Sequence, residues 1–253
     1  MLKDKTNSKY IRYIRQISID EIGVNGQNRL FKAKVLVVGA GGLGSTVASY
    51  LAAAGVGKIG IVDGDVVEVH NLQRQIVHAG NVGLNKAESL KSFINRLNPD
   101  VDVKAYPFHL TEDNAGSLIK KYDIVISCPD NIETRFLINR ICVEQRKPMI
   151  HGAVNSFEGE VSIFHITPCY QCIYGSITNY NNVSQETLGF TTCITGCLQG
   201  IETIKLILGL PVLKGEILRF DLKNMNFTKI RVKSNPKCKV CGKFNLPRGI
   251  NDY

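Results

Sequence analysis

No acidic residue falls between Lys223 and Arg248, and no charge of either sign falls between Val35 and Gly57. The first gap leaves eight Lys and Arg uncompensated, so this segment carries +8 of a formal net charge of +9. Residues 1–34 add +5 from eight bases and three acids, Asp252 subtracts one, and the middle of the chain sums to −3. A basic tail of this kind attracts nucleic acid or an acidic protein surface, or it simply stays solvated. No nucleic-acid module accompanies it: neither close cysteine pair is followed by a finger-type histidine pair, and no stacking-aromatic motif is present.

The second gap, 23 residues without charge, has the length of a membrane span. Gly39, Gly41, Gly42, Gly44, Ser45 and Thr46 interrupt it, and a strand, a turn and a buried helix account for it better. The N-terminus, Met1 to Asn7, lacks the apolar core of a signal peptide, so the cytoplasm is the expected compartment. Internal repeats and low-complexity linkers are absent too. With 44% apolar residues, 23 Gly and 8 Pro, the 253 residues read as one soluble α/β domain with decorations.

Lys34 to Gly39 is an apolar run ending in glycine, as in a buried parallel strand. A small-residue helix from Leu43 to Ala54 and a strand from Lys58 to Asp63 complete a βαβ unit. Helical spacing returns over Lys86 to Leu97, residues 111 to 120 and Asn131 to Glu144, with strands at Val101 to Tyr106, Asp123 to Ser127 and from Pro148 to His151. This alternation predicts a Rossmann-like, doubly wound, largely parallel sheet. Beyond residue 155 the strands shorten (Gly159 to Phe164, Glu216 to Asp221, Phe227 to Val232), which predicts antiparallel additions, with a last helix over Gly196 to Leu208.

Gly39-Ala40-Gly41-Gly42-Leu43-Gly44 fits G-x-G-x-x-G between a strand and a helix, where bare backbone N–H groups and the helix end hold phosphate. Asp63, 24 residues after Gly39, ends the second strand and suits ribose hydroxyls. This pair alone fits NAD, FAD or ATP. What discriminates is Arg74, Lys86 and Asp130 near the strand ends, with Asp65, Asn71 and Gln73 nearby. A nicotinamide site needs little cationic charge, whereas triphosphate transfer needs cations on the departing oxygens and a carboxylate for Mg²⁺. Asp130 also stands at a helix start, where an Asp is first of all a cap, and both roles fit.

Arg12-Tyr13-Ile14-Arg15-Gln16, the glycine loop, Asn71-Leu72-Gln73-Arg74-Gln75, Lys86, Cys128-Pro129-Asp130-Asn131 and two C-x-x-C pairs together resemble the ThiF/MoeB/HesA adenylyltransferases, relatives of ubiquitin-activating enzymes, over about residues 9 to 243. The resemblance implies a nucleotide-binding half over 9–155 and a carrier-binding, metal-containing half over 156–253. It assigns the ribose to Asp63, the phosphates to the Gly41 region, the triphosphate to Arg74 and Lys86, and Mg²⁺ to Asp130. Arg15, which in isolation reads as a solvated helix residue, would be an arginine finger reaching the partner's ATP site, so a homodimer is implied. The implied reaction is ATP-dependent adenylation of the C-terminal glycine carboxylate of a ubiquitin-like sulfur carrier, for thiamine or molybdopterin synthesis.

Eight cysteines in a cytosolic-looking chain argue against a disulfide framework. Cys169/Cys172 and Cys238/Cys241, across 65 intervening residues, have the spacing of two knuckles closing a Cys₄ zinc site, with a redox pair as the competing role. Many members carry a cysteine in a crossover loop that receives the activated carrier or sulfur; the equivalent position here is near Asn182, and no cysteine is there. Cys193 and Cys197 read instead as small buried thiols, so adenylation alone is expected. Three alternatives remain: adenylation of a peptide C-terminus, disfavoured by the few residues ahead of Arg12; an NAD-dependent oxidoreductase, which leaves Arg15, Arg74, Lys86 and Asp130 without a role; and a non-catalytic module, which would have lost some of them.

Overall fold

In the computed structural model, which describes residues 8–175 and 186–244, eight strands form one sheet in the order β3-β2-β1-β4-β5-β6-β7-β8. β1 (Lys34–Val38), β2 (Lys58–Val62), β3 (Asp102–Tyr106), β4 (Ile124–Ser127) and β5 (Met149–Asn155) run parallel, while β6 (Glu158–Phe164), β7 (Glu216–Asp221) and β8 (Asn226–Arg231) add antiparallel strands to the β5 edge. From β1 the chain winds outward to β2 and β3 and then returns to β4 and β5 on the other side. The strand ends therefore part between β1 and β4, where ligands settle in open α/β sheets.

Both faces of the central strands are buried, which is why they read as unbroken apolar runs. Val35 and Val37 pack with Leu51, Ile59 and Leu90, whereas Leu36 and Val38 pack on the opposite face with Ile119, Val125 and Ile138. α4 (Gly42–Ala53) and α5 (Lys86–Leu97) cover the first face; α6 (Glu112–Ile119) and α7 (Ile132–Glu144) cover the second. Asn85 caps α5 by accepting from the amides of Ala87 and Glu88 at 2.9 and 3.2 Å.

α9 spans Gly189–Leu208, seven residues longer at its start than its apolar periodicity predicts. The added turns bury Thr191 and Thr192 and lie on α4. The seam is made by small residues: a Cβ on Gly196 would stand 2.8 Å from the Leu43 carbonyl. Gly209, at φ 73°, closes the helix in the left-handed conformation that favours glycine.

Four helices escape the periodic reading. α1 (Ser8–Ile11), α2 (Ile14–Ile17) and α8 (Tyr170–Tyr174) are too short to show a period. α3 (Gly23–Lys32) holds two glycines and two asparagines, poor helix formers. Tertiary bonds hold it: Gln27 donates to the Ala54 carbonyl at 3.0 Å and Arg29 to the Leu208 carbonyl at 2.9 Å. The basic segment from Lys223 onward is likewise not a free tail. It forms β8 at the sheet edge and then brings Cys238 and Cys241 back against Cys169, while residues 245–248 lie outside the described residues. Among the described residues, no helix is long and apolar enough to cross a membrane.

Candidate functional site

A cavity of about 860 Å³ opens at the carboxyl ends of the parallel strands, with Gly39, Gly41 and Gly42 on one wall and Asp130 on another. Asp63, Asp65, Asn71, Arg74 and Lys86 also line it. The glycine loop is shaped from several sides. Gly39 lies at φ 96°, and a Cβ there would meet the Cys128 carbonyl at 2.6 Å, so the loop presses on the end of β4. A Cβ on Gly44 would meet the Gly39 carbonyl at 1.8 Å. Gly44 is thus a packing glycine and does not line the cavity.

The Ala40 amide donates to Asp63 Oδ2 at 2.6 Å, and the Asp65 amide donates to Asp63 Oδ1 at 2.9 Å. Burial raises the Asp63 carboxyl above its usual range, opposed by these two amides and by the charge of Lys86. Beneath the loop, fully buried His78 touches the Ala40 carbonyl with Nε2 at 2.9 Å and Ser89 Oγ with Nδ1 at 2.8 Å. A carbonyl only accepts, so Nε2 carries the proton; Nδ1 then accepts from Ser89, whose oxygen receives Asn81 Nδ2 at 2.9 Å. Burial lowers the His78 pKa, in keeping with this neutral tautomer.

The first residue of α5, Lys86, is 8% exposed and places Nζ 2.9 Å from Asp65 Oδ2. Half-buried Arg74 follows a 3-10 turn at Val69–Asn71, in which Asn71 Oδ1 accepts from the Glu68 amide at 3.0 Å. Capping of α7 falls to Asn131, which accepts from the Thr134 amide at 2.9 Å, and not to Asp130. The exposed Asp130 carboxylate lines the cavity and accepts a long hydrogen bond from Asn131 Nδ2 at 3.4 Å.

On the far side of the site, Cys169, Cys172, Cys238 and Cys241 bring their sulfurs within 4.8 Å of one another. The separations of 3.9, 3.7 and 3.3 Å bracket the roughly 3.8 Å expected around a tetrahedral ion with metal–sulfur bonds of about 2.3 Å. Two of these cysteines flank Tyr170 on α8, and Tyr170 and Tyr174, stacked at 4.4 Å, wall the cavity.

The ThiF family model matches residues 13–240. This chain belongs to the ThiF family. It is 41% identical over 258 residues to the adenylyltransferase and sulfurtransferase MOCS3 of Anopheles gambiae, covering 98% of this chain and 58% of that protein. It is 38% identical over 263 residues to the sulfur carrier protein adenylyltransferase of Thermus thermophilus, covering 98% of this chain and 96% of that one. The chain thus spans little more than half the length of the MOCS3 relatives but nearly all of the Thermus protein. In fold it is similar to E. coli MccB, with a TM-score of 0.81 at 24% identity, over 94% of this chain and 76% of MccB.

Within this ThiF-family chain, two residues expected at the nucleotide, Gly44 and Gln73, stand elsewhere. Gly44 packs behind the loop. Gln73 is exposed and donates to the Thr187 carbonyl at 3.4 Å, because the turn that aims Arg74 inward aims its neighbour out. Arg15 is exposed on α2, outside the cavity of its own chain. The position near Asn182 lies outside the described residues. Cys193 and Cys197 are not buried: Cys193 is exposed and Cys197 partly so, because α9 turns its Thr and Gly face to α4 and leaves the thiols on the opposite face. Two lining residues escaped the reading from sequence. Gln75, 3% exposed with Oε1 unpartnered, stood within the quoted N-L-Q-R-Q run; Arg135 carried no signal beyond its place in a helix.

The His78 pKa lies below its ordinary value of 6.5, so the unfolded chain takes up the proton first. Stability is full above that value and falls as pH drops below it. His151 and His165 shift in the same direction. We expect the urea midpoint to fall between about pH 7.5 and pH 5.5, and to fall less in His78→Gln, which keeps a donor for Ala40. Equal losses in both proteins would refute this role for His78.

Proposed function

We propose that this chain adenylates the C-terminal glycine carboxylate of a small ubiquitin-like sulfur-carrier protein. The observation that carries the reading is the convergence of the glycine loop with Arg74, Lys86 and Asp130 in one cavity at the parting of β1 and β4. The names of the Thermus relative, a sulfur carrier protein adenylyltransferase, and of the 40% identical SAMP-activating enzyme E1 of Haloferax volcanii support the same reaction. Thiamine or molybdopterin synthesis is the setting we assign to it, in the cytoplasm.

In this mechanism the loop amides and the α4 N-terminus receive the phosphates, and the Asp63 carboxylate orients the ribose. Arg74 and Lys86 hold the charge that develops on the departing pyrophosphate. The exposed carboxylate of Asp130 suits Mg²⁺, which when bound would neutralise phosphate oxygens. A carrier carboxylate is ionised at neutral pH, so attack at the α-phosphorus needs no general base, and positioning with charge stabilisation supplies the catalysis. Exposed Arg15 completes the site of a second copy in a homodimer, and the four converging thiols hold structural zinc.

Arg74→Ala, Lys86→Ala and Asp130→Ala are each expected to lower carrier-dependent ATP–pyrophosphate exchange by about 10²- to 10³-fold. Wild-type rates in all three would overturn the assignment. Metal analysis of protein purified without chelator is expected to find about one zinc per chain, lost in Cys238→Ser together with a fall in melting temperature. Metal-free protein of unchanged stability would count against the zinc site.

A further inference from the structure

Among the described residues, no carboxylate pairs with the buried cation Arg135. It sits in the first turn of α7, 9% exposed, where the helix dipole disfavours positive charge. Its hydrogen bonds run to backbone and to one imidazole. Nη2 donates to the Pro129 carbonyl at 2.7 Å, and Nη1 donates to the Gly152 carbonyl at 2.7 Å and reaches His151 Nδ1 at 3.1 Å. Neither burial nor helix stability explains a guanidinium here. What it accomplishes is geometric, because a planar fork can hold two carbonyls at once.

Those carbonyls lie where the neighbouring strands β4 and β5 reach the cavity. Pro129 directly precedes Asp130, and Gly152 directly precedes Ala153 and Val154 on β5, both of which line the site. The clamp is itself held from behind. An arginine only donates, so His151 Nδ1 accepts and Nε2 donates to Glu160 Oε1 at 3.2 Å. Glu160 also receives the Tyr174 hydroxyl at 2.5 Å and Arg219 Nη2 at 3.2 Å. Burial would raise the Glu160 carboxyl, but hydrogen bonds from His151 and Tyr174 and the charge of Arg219 hold it down at about 2. A continuous polar chain thus runs from exposed Arg219 on β7, across one face of the sheet, to the turn that carries Asp130.

We propose that Arg135 is a positioning residue for nucleotide activation: by fixing the Pro129 carbonyl against β5 it aims the Asp130 carboxylate at the Mg²⁺ of the bound nucleotide. This rests on the adenylation reading above. Arg135 acts through Asp130, so its removal matters only when both the metal and Asp130 are there to be aligned.

Calorimetric titration of ATP, with Mg²⁺ and separately with EDTA, tests this on Arg135→Lys and Arg135→Met, each alone and combined with Asp130→Ala. Lys keeps the charge and one bond but cannot span both carbonyls. Both variants are expected to weaken Mg²⁺–ATP binding by about 10- to 100-fold, the range for residues that orient a metal ligand. ATP affinity in EDTA should stay within about twofold, and Asp130→Ala should lose nothing further when Arg135 is also changed. A loss of equal size in EDTA, an additive loss in the Asp130→Ala background, no loss at all, or failure of both variants to fold would each overturn the proposal in favour of a structural role. Wild-type protein that binds no ATP would remove the adenylation reading itself, and this inference with it.

Discussion

The cavity at the strand ends depends on how one residue, Ala40, is gripped. Its amide donates to Asp63 and its carbonyl accepts from His78, so the tip of the glycine loop is tied to the end of β2 on one side and to the layer beneath α5 on the other. Both partners are buried or largely so, which makes each bond stronger than it would be in water and each loss more costly. With Ala40 fixed, Gly44 closes on Gly39, and Gly41 and Gly42 line the cavity at the start of α4. The Asp63 carboxylate therefore does two jobs, building the loop with one set of lone pairs and facing the cavity with the rest.

The second half of the molecule is joined to this centre by polar and sulfur contacts as well as by apolar packing. Gln199, fully buried on α9, donates to the Ser127 and Ile150 carbonyls and pins that helix to the ends of β4 and β5. The thiol cluster secures the chain beyond β8 against α8, and α8 supplies Tyr170 and Tyr174 to the cavity wall. Through Glu160, Tyr174 also joins the buried chain that ends at Arg135. The second half thus contributes to the cavity itself.

Much of this was legible in the sequence because the signals were local. An apolar run ending in glycine, an Asp at the next strand end and a basic pair beyond it read directly as strand, loop and charge, and the structure brings Arg74, Lys86 and Asp130 to one cavity. The parallel core read well since its strands are buried on both faces. What escaped reading depends on long-range contacts. Gln27 and Arg29 hold α3 against poor propensity through carbonyls of Ala54 and Leu208, 27 and 179 residues away. Likewise Cys193 was placed inside because its neighbours are apolar, while the face α9 buries is set by the glycine seam with α4. Arg135 has partners up to 17 residues away, and no spacing in the sequence announces a clamp between backbone carbonyls.

Transfer of adenylate to a carboxylate is the chemistry proposed for this cavity. Its most direct test is mass spectrometry of a small Gly-Gly-ending carrier after incubation with the protein, ATP and Mg²⁺, with hydroxylamine added to trap the activated end. The account predicts a carrier converted to its C-terminal hydroxamate, with AMP and pyrophosphate as the nucleotide products. An unmodified carrier accompanied by ADP and phosphate, across the candidate carriers, would contradict it.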